Sequence, residues 1–545
     1  IEDILSANFQ SSEQPSTAVM RIVEQDHRFL EAVPAFPRTH ALRVLNAVPN
    51  IAEKRSRQVV PFFLSWASRE EEDGPSPITR EQASTEDEYI HWGFKDQLSF
   101  LMLFTQFVNP RVLYKASDVH GALLGLLCHG NSEIQRSALK ALFTWKSPSI
   151  LPYQENLLNI LDEARFRDEL SIFASVGSED SPIEEAHRDE LIPVLLRLLY
   201  GRMVSKAGGS SGHTGQAARR KAILRTLSHL PKGDFETFLR ISFGALGEAR
   251  IVQDGQVNEE ALARELASPK RQTGLLKMIE SVFETLGSHM VPYAERSMDV
   301  ILYCLVRTSR ELQKLQSAEP TDAEAGRMLT VLRNIRQTCI RCLDLVFSIS
   351  LDRDWTPYVR VIYDEVISPR MENFAVETAQ GISGFLRLFH TWATAPRSAF
   401  YLSRYNNVAL TKTVDILGVD SAREEVKIFV MDEILAPIIE LCSGKKLQEQ
   451  EEMPDFSPDE VRSDVLSPYI EHALLHLGRL LKRGPSRPLL ISGVQTLSLL
   501  APFVESSQET SSLISITTYL LRQPPDRVSP KTKSGLLRTL EHFLP

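Results

Sequence analysis

Cysteine is scarce in this sequence. Five occur in 545 residues, at Cys128, Cys304, Cys339, Cys342 and Cys442. They are too few and too scattered for a disulfide framework, which suits a reducing compartment, cytosol or nucleus. Long apolar runs are missing too. A run such as Leu123–Cys128 (LLGLLC) falls far short of the roughly 20 residues that cross a bilayer, so no transmembrane helix is expected. Positive charge is in deficit: 61 Lys and Arg stand against 70 Asp and Glu, a net charge of −9. That balance excludes a generic nucleic-acid binder and leaves any such contact to local basic patches. A series of alternating strands joined by Asn-Gly or Asp-Gly turns is not found. The chain opens on Ile1 without a signal-peptide pattern and closes on Pro545 after a helical-looking run. It therefore reads as an excerpt of a longer protein.

What is present is ordinary for a folded chain: 43% hydrophobic and 24% charged residues. A single core stops growing beyond roughly 250–300 residues, so the chain must divide into domains or extend as repeats. Apolar residues recur at helical spacing almost everywhere. In Ser132–Phe143 the stripe is Ile134, Ala138, Leu139 and Leu142; in Arg271–Leu286 it is Leu275, Ile279, Val282, Phe283 and Leu286. Offsets of three and four residues place each set on one helix face.

The helices come in two kinds. One opens on a proline, as in Leu151-Pro152-Tyr153, Val291-Pro292-Tyr293, Thr356-Pro357-Tyr358 and Ser467-Pro468-Tyr469. Proline suits a first turn, where its missing N–H has no intrahelical partner. The other kind carries Arg near its start and small residues mid-helix, as in Asn131–Leu142 and Asn334–Leu343. Pairs of this kind are the unit of HEAT-type repeats, about 40–47 residues long. Here Pro152 and Pro193 are 41 residues apart but Pro193 and Pro292 are 99 apart, so the repeats are degenerate. The expected fold is all-α, one continuous HEAT/armadillo-like α-solenoid over residues 1–545. Flexible inserts are expected at 69–88, 204–217, 317–326, 444–460 and 523–533, where composition turns polar, Gly/Ser-rich or Pro-rich.

Three motifs invite a chemical reading. Gly208-Gly209-Ser210-Ser211-Gly212 matches Gly-x-Ser-x-Gly, but a nucleophile elbow needs a strand before it, and a helix over Leu191–Met203 precedes it. The same loop lacks the Gly-Lys-Ser/Thr end of a phosphate-binding loop. Cys339 and Cys342 form a Cys-x-x-Cys with no second pair, in a helical apolar stripe, so they read as core cysteines. His472 and His476 are four residues apart with Ala473 where a zincin has Glu, so they read as satisfied surface or groove histidines. No catalytic residue, cofactor or metal site is expected.

Charge asymmetry is more informative. From Leu191 to Gly233 there is no Asp or Glu, but there are Arg197, Arg202, Lys206, Arg219, Arg220, Lys221, Arg225 and Lys232. Such a patch could neutralise RNA or DNA phosphates and release their counterions. It could equally be a solvated face or pair with acidic protein. The acidic segment Arg69–Glu88 reads as a solubilising insertion, or as a repeller of phosphate.

A resemblance carries the reading further. NPRVLYKASDV opens at Asn109; LPYQENLLNILDE spans Leu151–Glu163; ELIPVLLRLLYGRM spans Glu190–Met203; a Gly/Ser/Lys loop follows; and ARRKAILRTLSHLPKGDFETFL begins at Ala218. Over about Phe94–Leu246 this order resembles the family of small-subunit processome component 20, also called the down-regulated-in-metastasis family. The resemblance implies a nucleolar, non-enzymatic HEAT-repeat scaffold in early maturation of the 18S rRNA precursor. Its partners would be pre-ribosomal proteins and pre-rRNA, with no membrane, no small-molecule substrate and no homo-oligomer. The competing readings are a nuclear transport receptor or other HEAT adaptor, and a hydrolase using Ser210. Replacing Arg219, Arg220 and Lys221 by Glu is expected to weaken particle association while leaving thermal stability nearly unchanged.

Overall fold

The computed structural model describes residues 35–67, 92–174, 183–205, 212–317, 323–405, 408–444, 457–541 and 543. The fold is all-α, a HEAT-like succession of helical hairpins. The chain divides after Gly244 into two compact units.

In the first unit the helices are α1 (Ala35–Ala47), α2 (Pro49–Lys54), α3 (Ser56–Ala67), α4 (Phe94–Phe104), α5 (Ala116–Leu126) and α6 (Ser132–Phe143). They continue as α7 (Gln154–Asn159), α8 (Phe166–Ala174), α9 (Arg188–Val204), α10 (Gly212–Ser228) and α11 (Lys232–Phe243). Neighbours pack in sequence and across hairpins: α5 on α6, α4 on α6, α9 on both α10 and α11. Helix α6 shows why. The Asn131 side chain accepts the Glu133 N–H at 2.8 Å and starts the helix. Ile134, Ala138 and Leu139 are fully buried and Leu142 nearly so. The small Ala138 sits in the middle of that buried stripe.

Gly201 of α9 marks a closer approach. A Cβ there would lie 2.2 Å from Gln135 Nε2 and 2.7 Å from the Leu127 carbonyl. Gln135, buried in α6, donates to the Leu127 and Leu198 carbonyls at 2.6 and 3.2 Å. It thus ties the α5–α6 corner to α9. Pro193 lies inside α9 rather than at its start, so the spacing of 41 residues from Pro152 does not run from one helix start to the next.

The second unit opens on a two-stranded antiparallel hairpin, β1 (Val252–Gln253) and β2 (Gln256–Val257). Asp254 and Gly255 both have positive φ, 51° and 74°, as a type I′ turn requires. This Asp-Gly turn is a single hairpin and not a series of alternating strands. One isolated pair of two-residue strands leaves no periodic trace in the surrounding helices. Then come α12 (Glu259–Ala263), α13 (Pro269–Leu286), α14 (Ala294–Ser317), α15 (Ala323–Ile349), α16 (Thr356–Ile362), α17 (Phe374–Thr378), α18 (Gly384–Ala393), α19 (Pro396–Ala399) and α20 (Val408–Asp415). The unit continues with α21 (Glu424–Phe429), α22 (Ala436–Cys442), α23 (Pro458–Val461), α24 (Ile470–Lys482), α25 (Arg487–Leu500), α26 (Ser507–Leu521) and α27 (Pro530–Glu541). Asp299 of α14 is buried and clasps the hairpin: it accepts the Ile251 N–H at 3.0 Å and pairs with Arg250 at 3.2 Å. Burial pushes its carboxyl above the usual range, against the pull of those partners.

Three helical paths of this unit contain a π turn: Tyr363–Ile367, Val430–Leu435 and Arg462–Leu466. Each contains the residue four positions before a proline, Pro369, Pro437 and Pro468. Proline donates no N–H and its ring collides with the carbonyl four residues back. A widened turn gives that carbonyl room. Pro468 therefore does not open its helix: the path begins at Pro458, where Ser457 and Glu460 form a capping box.

Of the expected inserts, 69–88 lies outside the described residues, 204–217, 317–326 and 444–460 do so in part, and 523–533 is described throughout. Helix α10 already begins at Gly212, α15 at Ala323, α23 at Pro458 and α27 at Pro530. Lys533, expected in a flexible insert, is helical and donates to the Gln523 carbonyl at 2.5 Å.

Candidate nucleic-acid interface

The acid-free stretch spans most of α9, helix α10 and the start of α11. The structure describes seven of its eight cations, and they fall into two kinds. Arg202 is buried and donates to Glu163 at 2.8 Å, with its guanidinium 5.3 Å from the centre of the Phe166 ring. Arg219 is buried beside it, 3.1 Å from the same carboxylate, and donates to Ser205 Oγ at 2.8 Å. Burial, followed by the neighbouring Arg202, lowers the Arg219 pKa against the pull of Glu163. Arg220 donates to the Met203 carbonyl at 2.9 Å, and Gln216 donates to the Ser205 carbonyl at 2.9 Å. The last turn of α9 has carbonyls without intrahelical partners and the negative end of the helix dipole. Arg220 and Gln216 donate to carbonyls there and so cap the helix, while Arg202 and Arg219 converge on Glu163 beside it. Arg197, half-buried, donates to the carbonyl of Pro193.

The other kind faces solvent. Lys221 and Arg225 are exposed one turn apart on α10, and Lys232 is exposed at the start of α11. Among the described residues, none of these three is ion-paired. Lys206 lies outside the described residues, as does Ser210 of the Gly-x-Ser-x-Gly motif; α9 precedes that motif and α10 follows it. The acidic partner of the buried arginines, Glu163, is 39 residues before Arg202 and 56 before Arg219. Nothing in local sequence points to it.

The remaining motifs separate cleanly. Cys339 and Cys342 are buried in α15, and burial pushes both thiols well above their usual pKa. Cys342 donates to the Leu276 carbonyl. His472 and His476 project from α24 onto one residue of another helix, Asp415.

Residues 91–545 match the family described as U3 small nucleolar RNA-associated protein 20, N-terminal. The chain belongs to this U3 small nucleolar RNA-associated protein 20 family. Its match to the family member of Schizosaccharomyces pombe is 24% identical over 529 residues, covering 96% of this chain and 20% of the relative. The match to the Saccharomyces cerevisiae protein of the same name is 25% identical over 417 residues, covering 75% of this chain and 16% of the relative. The chain thus spans about a fifth or less of the length of these U3 small nucleolar RNA-associated relatives. Among solved structures, Kap95p with RanGDP covers 99% of this chain and 69% of its own, at 13% identity and a TM-score of 0.24. Kap121p bound to Ste12p covers 100% and 57%, at 11% identity and a TM-score of 0.19. Likenesses this loose carry no assignment.

Proposed function

We propose that this chain is a non-catalytic scaffold segment of the small-subunit processome, acting in the nucleolus in ribosome biogenesis. It would support pre-18S rRNA processing and 40S subunit assembly by bridging proteins and pre-rRNA. Family membership over residues 91–545 carries the reading, since the relatives are named for association with U3 small nucleolar RNA. The architecture supports it. Stacked helical hairpins bury a continuous core and leave long side-chain surfaces for partners. On an acidic chain, the outer face of α10 and the start of α11 offer Lys221, Arg225 and Lys232 to phosphate.

The test is crosslinking of the tagged full-length protein in cells, followed by sequencing of bound RNA. The expected result is enrichment of 18S precursor, with crosslinks to peptides between Arg220 and Lys232. The triple variant Lys221→Glu/Arg225→Glu/Lys232→Glu loses those crosslinks while remaining folded. Pre-ribosome co-purification without RNA crosslinks in this segment would overturn the RNA contact and leave the segment to proteins. Absence from pre-ribosomes altogether would overturn the scaffold.

A further inference from the structure

Asp415 ends α20, and His472 and His476 lie one turn apart on α24, which packs against it. Both imidazoles direct Nε2 at the same carboxylate oxygen: His472 at 2.7 Å and His476 at 3.3 Å from Asp415 Oδ1. One ligand atom from each of the three residues lies within 4.8 Å of the other two. Among the described residues, this is the one such group of three His, Cys, Asp or Glu side chains. We propose that Asp415, His472 and His476 form a binding site for a divalent first-row transition ion of the zinc class, joining the end of α20 to α24.

Several independent features fit. Two histidines four residues apart on a helix present their rings to one side, so they can chelate a single ion. Two imidazoles and one carboxylate match the donor preference of zinc, whereas magnesium and calcium take oxygen ligands. With bonds of about 2.0–2.2 Å, tetrahedral ligand atoms lie roughly 3.3 Å apart. The His476–Asp415 separation already has that value. The shorter His472 contact opens by about half an ångström through rotation of a side chain that is a third exposed.

The slot for His476 is built into the backbone. A Cβ on Gly418 would lie 2.2 Å from His476 Nδ1, so only glycine leaves room for the ring. Three protein ligands leave a fourth position for water. Lys412 stands 3.9 Å from the other Asp415 oxygen with its side chain partly exposed, so it can swing away when a cation arrives.

The experiment is a calorimetric titration of the metal-stripped 545-residue chain with Zn(II), beside His472→Ala and Asp415→Asn. Circular dichroism confirms that each is folded. The wild type is expected to bind one more equivalent than either variant, or to bind it ~10–100-fold more tightly. Zn(II) should also raise the Tm of the wild type alone. Equal stoichiometry and affinity in all three proteins would overturn the site. Should either variant fail to fold, zinc X-ray absorption of the wild type at one equivalent decides. Scattering from two imidazoles and light oxygen ligands supports the proposal; thiolate scattering, or a single imidazole, sinks it.

Discussion

Arg219 and Lys221 are two residues apart on one helix and play opposite parts. Two residues turn an α-helix through roughly 200°, so Arg219 faces Glu163 and Ser205 while Lys221 faces water. Charge reversal at Arg219 sets a carboxylate against Glu163 beside the end of α9. It is expected to cost roughly 1–3 kcal/mol, read as a lowered Tm. Lys221→Glu should stay within about 0.5 kcal/mol of wild type. The expectation that Arg219, Arg220 and Lys221 could be reversed together without loss of stability is therefore corrected, because a basic run in sequence does not say which cations turn inward. A clean probe of RNA contact uses Lys221, Arg225 and Lys232. Losing all three should flatten the salt dependence of RNA binding by about 0.7–0.9 in log–log slope per lost phosphate contact. Asp299 shows the same principle in an acid. Asp299→Ala removes the acceptor for the Ile251 N–H and is expected to destabilise by about 1–3 kcal/mol in denaturant titrations.

Between elements, small residues decide how closely helices approach. Ala138→Trp in α6 is expected to cost roughly 1–3 kcal/mol or more by overpacking, since Ala138 is fully buried. Unchanged stability would mean that the close-packed face of α6 lies elsewhere. Gly201→Ala in α9 should cost a similar amount, because the new methyl meets Gln135 and two carbonyls. The apolar stripe containing Ala138 is legible from a 3.6-residue period. The role of Gly201 is not, because its constraint comes from the α5–α6 corner, more than 60 residues earlier. The prolines show the limit in another way. Pro152 and Pro292 stand in 3₁₀ turns that lead into helices, as a proline at a helix start suggests. Pro468 also stands in a 3₁₀ turn that leads into a helix, but that turn follows a π turn in a path already under way.

Over the whole chain, the division after Gly244 gives two units with their own buried cores. Repeat stacks and multi-unit chains depart from two-state unfolding. Urea transitions followed by circular dichroism and by tryptophan fluorescence should therefore not coincide. Trp66, Trp92 and Trp145 report the first unit, and Trp355 and Trp392 the second. Coincident transitions would show that the two units unfold as one. At this scale the net charge of −9 is set against a local positive face, the exposed Lys221, Arg225 and Lys232 of α10 and α11.

By itself, the sequence determined the helical class, the faces that turn inward, the absence of a long apolar span and the family. Those follow from local periodicity, composition and contiguous motifs, which need no knowledge of distant partners. Only the tertiary structure decided which arginines turn inward and which face solvent, why Gly201 and Gly418 carry no side chain, and that His472 and His476 share Asp415. In each case the deciding atom comes from another helix, tens of residues away. Its position is set by packing rather than by any local rule of the chain.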